Sequence, residues 1–321
     1  LASGKAPHPN PSGAASRFDL AVLGADDPLG GAVLQLLDER EIPVGRLYPL
    51  TLRDPDTNVV FRGQDWPCEQ AVEFDYGRVQ ALLVASRSPA ASRLSREIRS
   101  RRPTMPVMTL DEIDPAPAVA VSRVLKTLAA LGDGLASVDA FVALPAAVAG
   151  QDGVEELANQ SRGLFNMESA EPEVFPLQIA FNLVPHGAVG DAPSYESHLA
   201  DATARLTDGA DAAYSVVWAP IFFGAAIALH ARTENALDIQ SLRGALVHRD
   251  GITLMEAELP AATPTPATDA QGSEAVFVSR IRVDGKLARL WLVFDPIQVE
   301  AAQMVAAVEN WIDKPANSML T

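Results

Sequence analysis

Few residues in this sequence carry the chemistry of a covalent or metal-assisted step. The single cysteine, Cys68, lies in the string DWPCEQ and reads as an ordinary, unreactive thiol. One cysteine also excludes an internal disulfide framework and any site built from several thiolate ligands. The five histidines are His8, His186, His198, His230 and His248, and no two show the close helical spacing of a metal site. His186 reads as a packed or surface imidazole. Ser122 and Lys126 share a helix face at i, i+4, the spacing of a serine/lysine nucleophile pair, but a solvated face explains them more simply. The other acids are spread along the chain as a solubilising surface, with no paired-carboxylate site among them.

The elements that would position such residues are easier to read. Phe18 to Gly24 is an apolar run ending in glycine, and Gly31 to Arg40 follows with apolar periodicity, giving strand, turn and helix. Strands are expected at Arg46 to Leu52, Val59 to Phe61, Ala81 to Ala85 and Val107 to Leu110, with a helix at Ser92 to Arg101. The first ~110 residues therefore have the pattern of a doubly wound nucleotide-type domain. After Pro115 and Pro117 come a helix (Val119 to Leu131), a strand (Ser137 to Leu144) and a helix (Val154 to Leu164). Further strands are expected at Ala213 to Trp218, Ile221 to Ala231, Ala275 to Val283 and Ala288 to Phe294, with helices at Tyr195 to Leu206 and Ile239 to Leu246. This is a second, antiparallel-rich α/β domain. A closing helix, Val299 to Ile312, should return to the first domain, and Pro260 to Thr268 should form a surface loop. The expected division is a tail at 1–17, a Rossmann-type domain at 18–113 completed by 296–321, and a dimerisation domain at 114–295.

With 321 residues, 48% hydrophobic and 21% charged, the chain has the makeup of a globular protein that buries a large core. A net charge of −16 opposes non-specific attraction to nucleic acid or anionic lipid. Apolar stretches such as Trp218 to Ala231 are broken by Pro220 and Gly224 and fall short of the ~20 residues a membrane helix requires, so no membrane insertion is expected. The opening LASGKAPHPNPSGAASR has neither a signal-peptide core nor a transit-peptide pattern, which leaves the cytoplasm as the expected compartment. That low-complexity tail is expected to be flexible alone, and either a larger protein assembly or packing on its own domain would order it.

The order of several strings resembles the aspartate-semialdehyde dehydrogenase family, and more narrowly its USG-1-like branch. They are VLGADDPLGGAVLQLLDER, VLKTLAAL, DGVEELANQSRGLFN, QIAFNLVPH, APIFFG and VFVSRIRVDGKLARLWLVFDPIQVEAA, which together run from about Phe18 to Trp311. The resemblance implies a Rossmann-type doubly wound domain plus an α+β dimerisation domain of the semialdehyde dehydrogenase/glyceraldehyde-3-phosphate dehydrogenase type. It also implies a dimeric NADP-dependent enzyme in which a cysteine thiolate attacks an aldehyde, hydride passes to NADP and phosphate releases the acyl group.

The residues for that chemistry are replaced. The nucleophile position falls on Ala116, between Pro115 and Pro117, and no such side chain can attack a carbonyl. The glutamine that helps hold substrate falls on about Ala146. The substrate arginine falls on Trp218 and the acid/base histidine on Ala225. A family string Asp-Asn-Leu-Arg-Lys-Gly reads Asp295 to Glu300, with two cations lost and a carboxylate gained. The dinucleotide loop reads Gly24-Ala25-Asp26-Asp27-Pro28-Leu29-Gly30, so its middle glycine has become Asp27. A carboxylate about 5 Å from a phosphate costs roughly 3 kcal/mol at an effective dielectric near 20, about a hundredfold in affinity. The simpler role for Asp26 or Asp27 is to cap the helix that begins near Pro28. Arg53 stands where the family holds the NADP 2′-phosphate, but Asp54 and Asp56 follow it and would compete for it. Gly24, Gly30 and Arg53 are thus a vestigial cofactor site. Arg87, in Ala85-Ser86-Arg87-Ser88, either meets a phosphate or fills the empty site itself, the second being favoured.

The expectation is a homologue without the family's catalysis and with no cofactor, or NADP if the family site survives. It would act as a homodimer, as a heterodimer with a homologue, or within a larger assembly through residues 1–17. An NAD(P)-dependent oxidoreductase of altered chemistry and a small-ligand sensor are the alternatives.

Overall fold

The computed structural model describes residues 17–53, 56–169, 171–187, 194–255 and 263–313. The tail before residue 17, His8, Asp54 and part of the Pro260 to Thr268 run lie outside the described residues.

The first half of the chain builds β1 (Phe18–Leu23), α1 (Pro28–Glu39), β2 (Val44–Thr51), β3 (Asn58–Phe61), β4 (Gln64–Pro67), β5 (Glu69–Gln70), β6 (Ala81–Val84), α2 (Pro89–Arg101) and β7 (Val107–Thr109). Five of these strands pair in parallel in the order β5-β2-β1-β6-β7. Alternation along β1 explains the layering. Leu20 and Val22 join Val33 and Leu37 of α1 on one face, whereas Ala21 and Leu23 join Ala91 and Ile98 of α2 on the other. The strand expected at Val59 to Phe61 is present as β3, which stands outside this sheet in a separate hairpin with β4. Its residues Val59 and Phe61 still pack against the α1 side of the core.

The second half builds α3 (Ala116–Gly132), β8 (Leu135–Leu144), α4 (Gln151–Phe165), β9 (Val184–Pro185), α5 (Tyr195–Leu206), β10 (Ala212–Trp218), β11 (Ala225–Thr233), α6 (Ile239–Val247), β12 (Ile252–Leu254), β13 (Val276–Asp284), β14 (Leu287–Phe294) and α7 (Pro296–Ile312). Its seven strands run in the order β12-β13-β14-β11-β8-β10-β9, with antiparallel pairing through the centre and parallel pairs at β10/β8 and β12/β13. One face of this sheet packs on α3, α5 and α6. β11 starts at Ala225 rather than Ile221, because Gly224 turns with φ +76° and a side chain there would meet the Pro266 carbonyl oxygen.

α7 returns to the first sheet. Its Ile297, Ala301, Met304, Val305 and Val308 lie in the same cluster as the α1 side chains, and Trp311 meets Phe18 edge-on at 5.0 Å. The two halves share a mixed α/β architecture with a cleft between them. Among the described residues, no helix is long and apolar enough to cross a membrane.

Candidate functional site

The cleft has a volume of about 480 Å³, within the range of small-molecule sites. The β1–α1 turn and Arg53 form one wall, and Ser86 to Ala90 form the floor. The opposite wall is the start of α4 together with His186, Tyr195 and Trp218.

The β1–α1 turn spends three of its backbone amides internally. Gly24 and Ala25 both donate to the Leu50 carbonyl, and the Asp27 amide donates to Gly24 O. Gly24 has φ +80°, and Gly30 sits so close beneath it that a Cβ would come within 2.0 Å of Gly24 O. Both glycines are therefore demanded by the strand-to-helix packing itself. Asp26 accepts from Thr51 Oγ1 at 2.7 Å. Asp27 occupies the N-cap position of α1, yet its carboxylate makes no capping bond to that helix. It reaches across the cleft and accepts from the Gln151 amide, at the start of α4, at 3.2 Å. This corrects the reading of Asp26 or Asp27 as an α1 cap: Pro28 removes one donor from the first turn of α1, while the free amide of α4 lies within reach. Burial raises the Asp27 pKa above the usual carboxylate value, partly offset by hydrogen bonds from Ser86 and Gln151.

Two arginines on the first domain are tied to the other side. Arg53 pairs with Asp152 at 3.1 Å and Glu155 at 2.9 Å, both on α4. Arg87 donates from Nη2 to both oxygens of Glu300 on α7, at 2.6 Å. The Glu300 side chain is 3% exposed and that of Arg87 34%, so the pair has one buried and one wet end. The Ala116 amide, first in α3, approaches the same Glu300 oxygen at 3.5 Å. His186 is stacked between Tyr195 and Trp218, at 4.7 and 5.2 Å between ring centroids. Its Nδ1 is buried without a hydrogen-bond partner, and burial lowers its pKa, so the imidazole is neutral at pH 7.

A family model described as the semialdehyde dehydrogenase dimerisation domain matches residues 128–298. The chain belongs to the semialdehyde dehydrogenase family. It is 29% identical to a USG-1 protein homolog of Azotobacter vinelandii, over 89% of this chain and 94% of that protein. It is 24% identical to an aspartate-semialdehyde dehydrogenase of Shewanella violacea over the same shares. Among solved structures, the aspartate-semialdehyde dehydrogenase II of Vibrio cholerae, complexed with ASA, superposes with a TM-score of 0.76 at 23% identity, over 94% of this chain and all of the other. The Candida albicans enzyme with NADP superposes with a TM-score of 0.57 at 13% identity, over 91% and 99%. The Rossmann-like and dimerisation-domain fold expected from the sequence is the one found.

The family positions named from the sequence carry no reactive side chain. Ala116 is buried at the start of α3. Ala146 is buried, with its amide on the Ile221 carbonyl. Ala225 is buried at the start of β11. Trp218 ends β10 and packs on His186 and Phe175. Asp295 is occupied structurally: it caps α7 through the Ile297 and Gln298 amides and accepts from Gly272 at 2.9 Å. Cys68 is buried in the first domain, where desolvation pushes its thiol up to about 11. Ser122 is buried and donates to the Val119 carbonyl, while Lys126 is exposed, so the two form no pair. Among the described residues, no group of histidine, cysteine and carboxylate side chains could hold a metal ion. Sequence reasoning missed Tyr195, which shares the cleft wall with His186, and the pairing of Arg87 with Glu300. Tyr195 reads from the sequence only as the start of a helix, and nothing local marks the Arg87–Glu300 pair, whose partners lie 213 residues apart.

Proposed function

We propose that this chain is a semialdehyde dehydrogenase homologue without the family's catalysis, acting as a structural or protein-interaction dimer. The observation that carries the reading is the Arg87–Glu300 pair: a buried carboxylate faces the backbone of Ala116, where the family resemblance puts a nucleophilic cysteine. An aldehyde has no thiolate to meet there, and a carboxylate paired with a guanidinium lies beside that position instead.

The residues of the cleft also fit NADP poorly. A dinucleotide phosphate needs unspent amides at the β1–α1 turn, and here those of Gly24, Ala25 and Asp27 are spent on backbone carbonyls, while the Asp27 carboxylate at the head of α1 would repel the phosphate. Arg53, which would face a 2′-phosphate, is neutralised by two carboxylates of α4. The match to a dimerisation domain supports the dimer, with itself or with a homologue.

The test is calorimetric titration of the purified protein with NADPH and NADP, beside an assay with aspartate semialdehyde, NADP and phosphate. The expected result is no heat of binding at micromolar concentrations and no turnover; micromolar binding of either nucleotide, or turnover, overturns the reading. A native mass spectrum should show twice the 34.0 kDa chain mass. A second reading, a small-ligand sensor, is favoured by the open volume beside His186, Tyr195 and Trp218. The same spectrum would reveal such a ligand as added mass.

A further inference from the structure

The arginines of this acidic chain are unevenly placed. Six fall between Arg87 and Arg102, with Glu97 the one acid among them. Apart from Arg87, which faces the cleft, they belong to α2 and its C-terminal cap. Arg99 is held by the Val107 carbonyl and Glu112. Arg93, Arg96 and Arg101 are exposed. Next to this helix the loop after β5 carries Val72, Phe74 and Tyr76, and between loop and helix runs a groove of about 360 Å³.

The groove has two properties that a merely solvated arginine face lacks. Its floor is apolar: Val72 is 68% exposed, and Leu94, Ile98, Phe74 and Tyr76 lie beside it. Phe74 and Tyr76 meet edge-on at 5.1 Å, which gives the floor a fixed aromatic edge. Arg101 and Arg102 form a cationic end, with the lining carboxylates Glu97 paired to Arg101 and Asp75 accepting from the Gly77 amide, and Arg102 Nη1 is buried with no hydrogen-bond partner. A buried guanidinium nitrogen without an acceptor costs free energy that an incoming carboxylate would recover. Arg101 is held by Glu97 alone, in an exposed i, i+4 pair worth little, so it can exchange to another carboxylate.

We propose that this groove docks a segment of a partner protein in which a large apolar side chain is flanked by acidic residues. The apolar residue would lie over Val72 and Phe74, and carboxylates would meet Arg101 and Arg102. Charge complementarity selects the occupant: an acidic segment is drawn to the one strongly basic helix of a chain whose net charge of −16 repels polyanions as a whole. The inference is independent of whether the cleft binds a nucleotide, since the groove lies on the α2 face of the first sheet.

The experiment is selection of a random peptide library on the full-length protein, followed by fluorescence anisotropy with the enriched peptides. The expected consensus is one large apolar residue with two or more acids within four positions. Arg101→Gln/Arg102→Gln should weaken its binding at least tenfold. Because Arg102 is partly buried, Val72→Glu serves as a second variant at a surface position and should weaken binding by a similar factor, with an unchanged circular dichroism spectrum. Arg249→Glu, an exposed charge change elsewhere, should have no effect. A consensus without acids, unchanged binding by Val72→Glu, displacement of the peptide by duplex DNA at equal concentration, or displacement by a second copy of this chain would each overturn the proposal.

Discussion

The asymmetry of the Arg87–Glu300 pair makes an unequal prediction for its two halves. Replacing Arg87 by leucine leaves a carboxylate 3% exposed, with only the long 3.5 Å approach of the Ala116 amide in place of a guanidinium. Breaking a buried pair in this way costs about 3–5 kcal/mol. Replacing Glu300 by leucine leaves a guanidinium with about a third of its surface in water, so solvation offsets much of the loss and the cost falls to about 1–2 kcal/mol. The double variant Arg87→Leu/Glu300→Leu leaves no orphaned charge and should lie within about 1–2 kcal/mol of the parent. The coupling is then about 2 kcal/mol or more, readable from a double-mutant cycle. Urea unfolding followed by circular dichroism, with slopes checked for constancy, measures all four proteins. Equal costs for the single variants, the reverse order, or additivity in the double variant would refute the assignment of this pair as one with a buried carboxylate and a wet guanidinium.

Other outcomes follow from the same geometry. Asp27→Gly should raise NADP affinity about a hundredfold over the parent in calorimetric titration, through removal of a repulsion of roughly 3 kcal/mol, and cost about 1 kcal/mol of stability through the lost α4 cap. Gly30→Ala should destabilise by about 3 kcal/mol in urea unfolding, because its Cβ would meet backbone rather than a yielding side chain. Cys68, pushed up to about 11 by burial, should not react with an aromatic disulfide reagent at pH 8 until the protein unfolds. Stability should also fall as pH rises above about 9. Cys68, Tyr76 and Tyr214 keep their protons in the fold to about 11, 12 and 12, whereas the unfolded chain releases them earlier. An unfolding midpoint that is flat between pH 8 and 11 would oppose this.

The sequence carried the elements because they obey local periodicity. Tyr195–Leu206 is bounded by Ser194, whose hydroxyl caps the helix, and the alternation in β1 and β6 shows which side chains face α1 and which face α2. β3 is legible as a strand but its pairing is not, because four alternating residues look alike in a parallel sheet and in an isolated hairpin; its partner Gln64–Pro67 is too polar to read as a strand. The replacements at Ala116, Trp218 and Ala225 were legible as residue types. Their surroundings were not, since Asp27 with Gln151, Arg53 with Glu155 and Arg87 with Glu300 join positions more than 100 residues apart. Such pairings depend on how the two sheets face each other, which no window of sequence encodes.

The reach of Asp27 to the α4 amide has a consequence for any anion in solution. A group tethered to the protein competes at an effective concentration of millimolar or higher, so the helix end carries its own resident ligand. A free phosphate or carboxylate must displace a neighbour that never diffuses away. The start of α4 is in that sense permanently occupied, and whatever enters the cleft must come for the aromatic wall or the uncapped start of α1 rather than for α4.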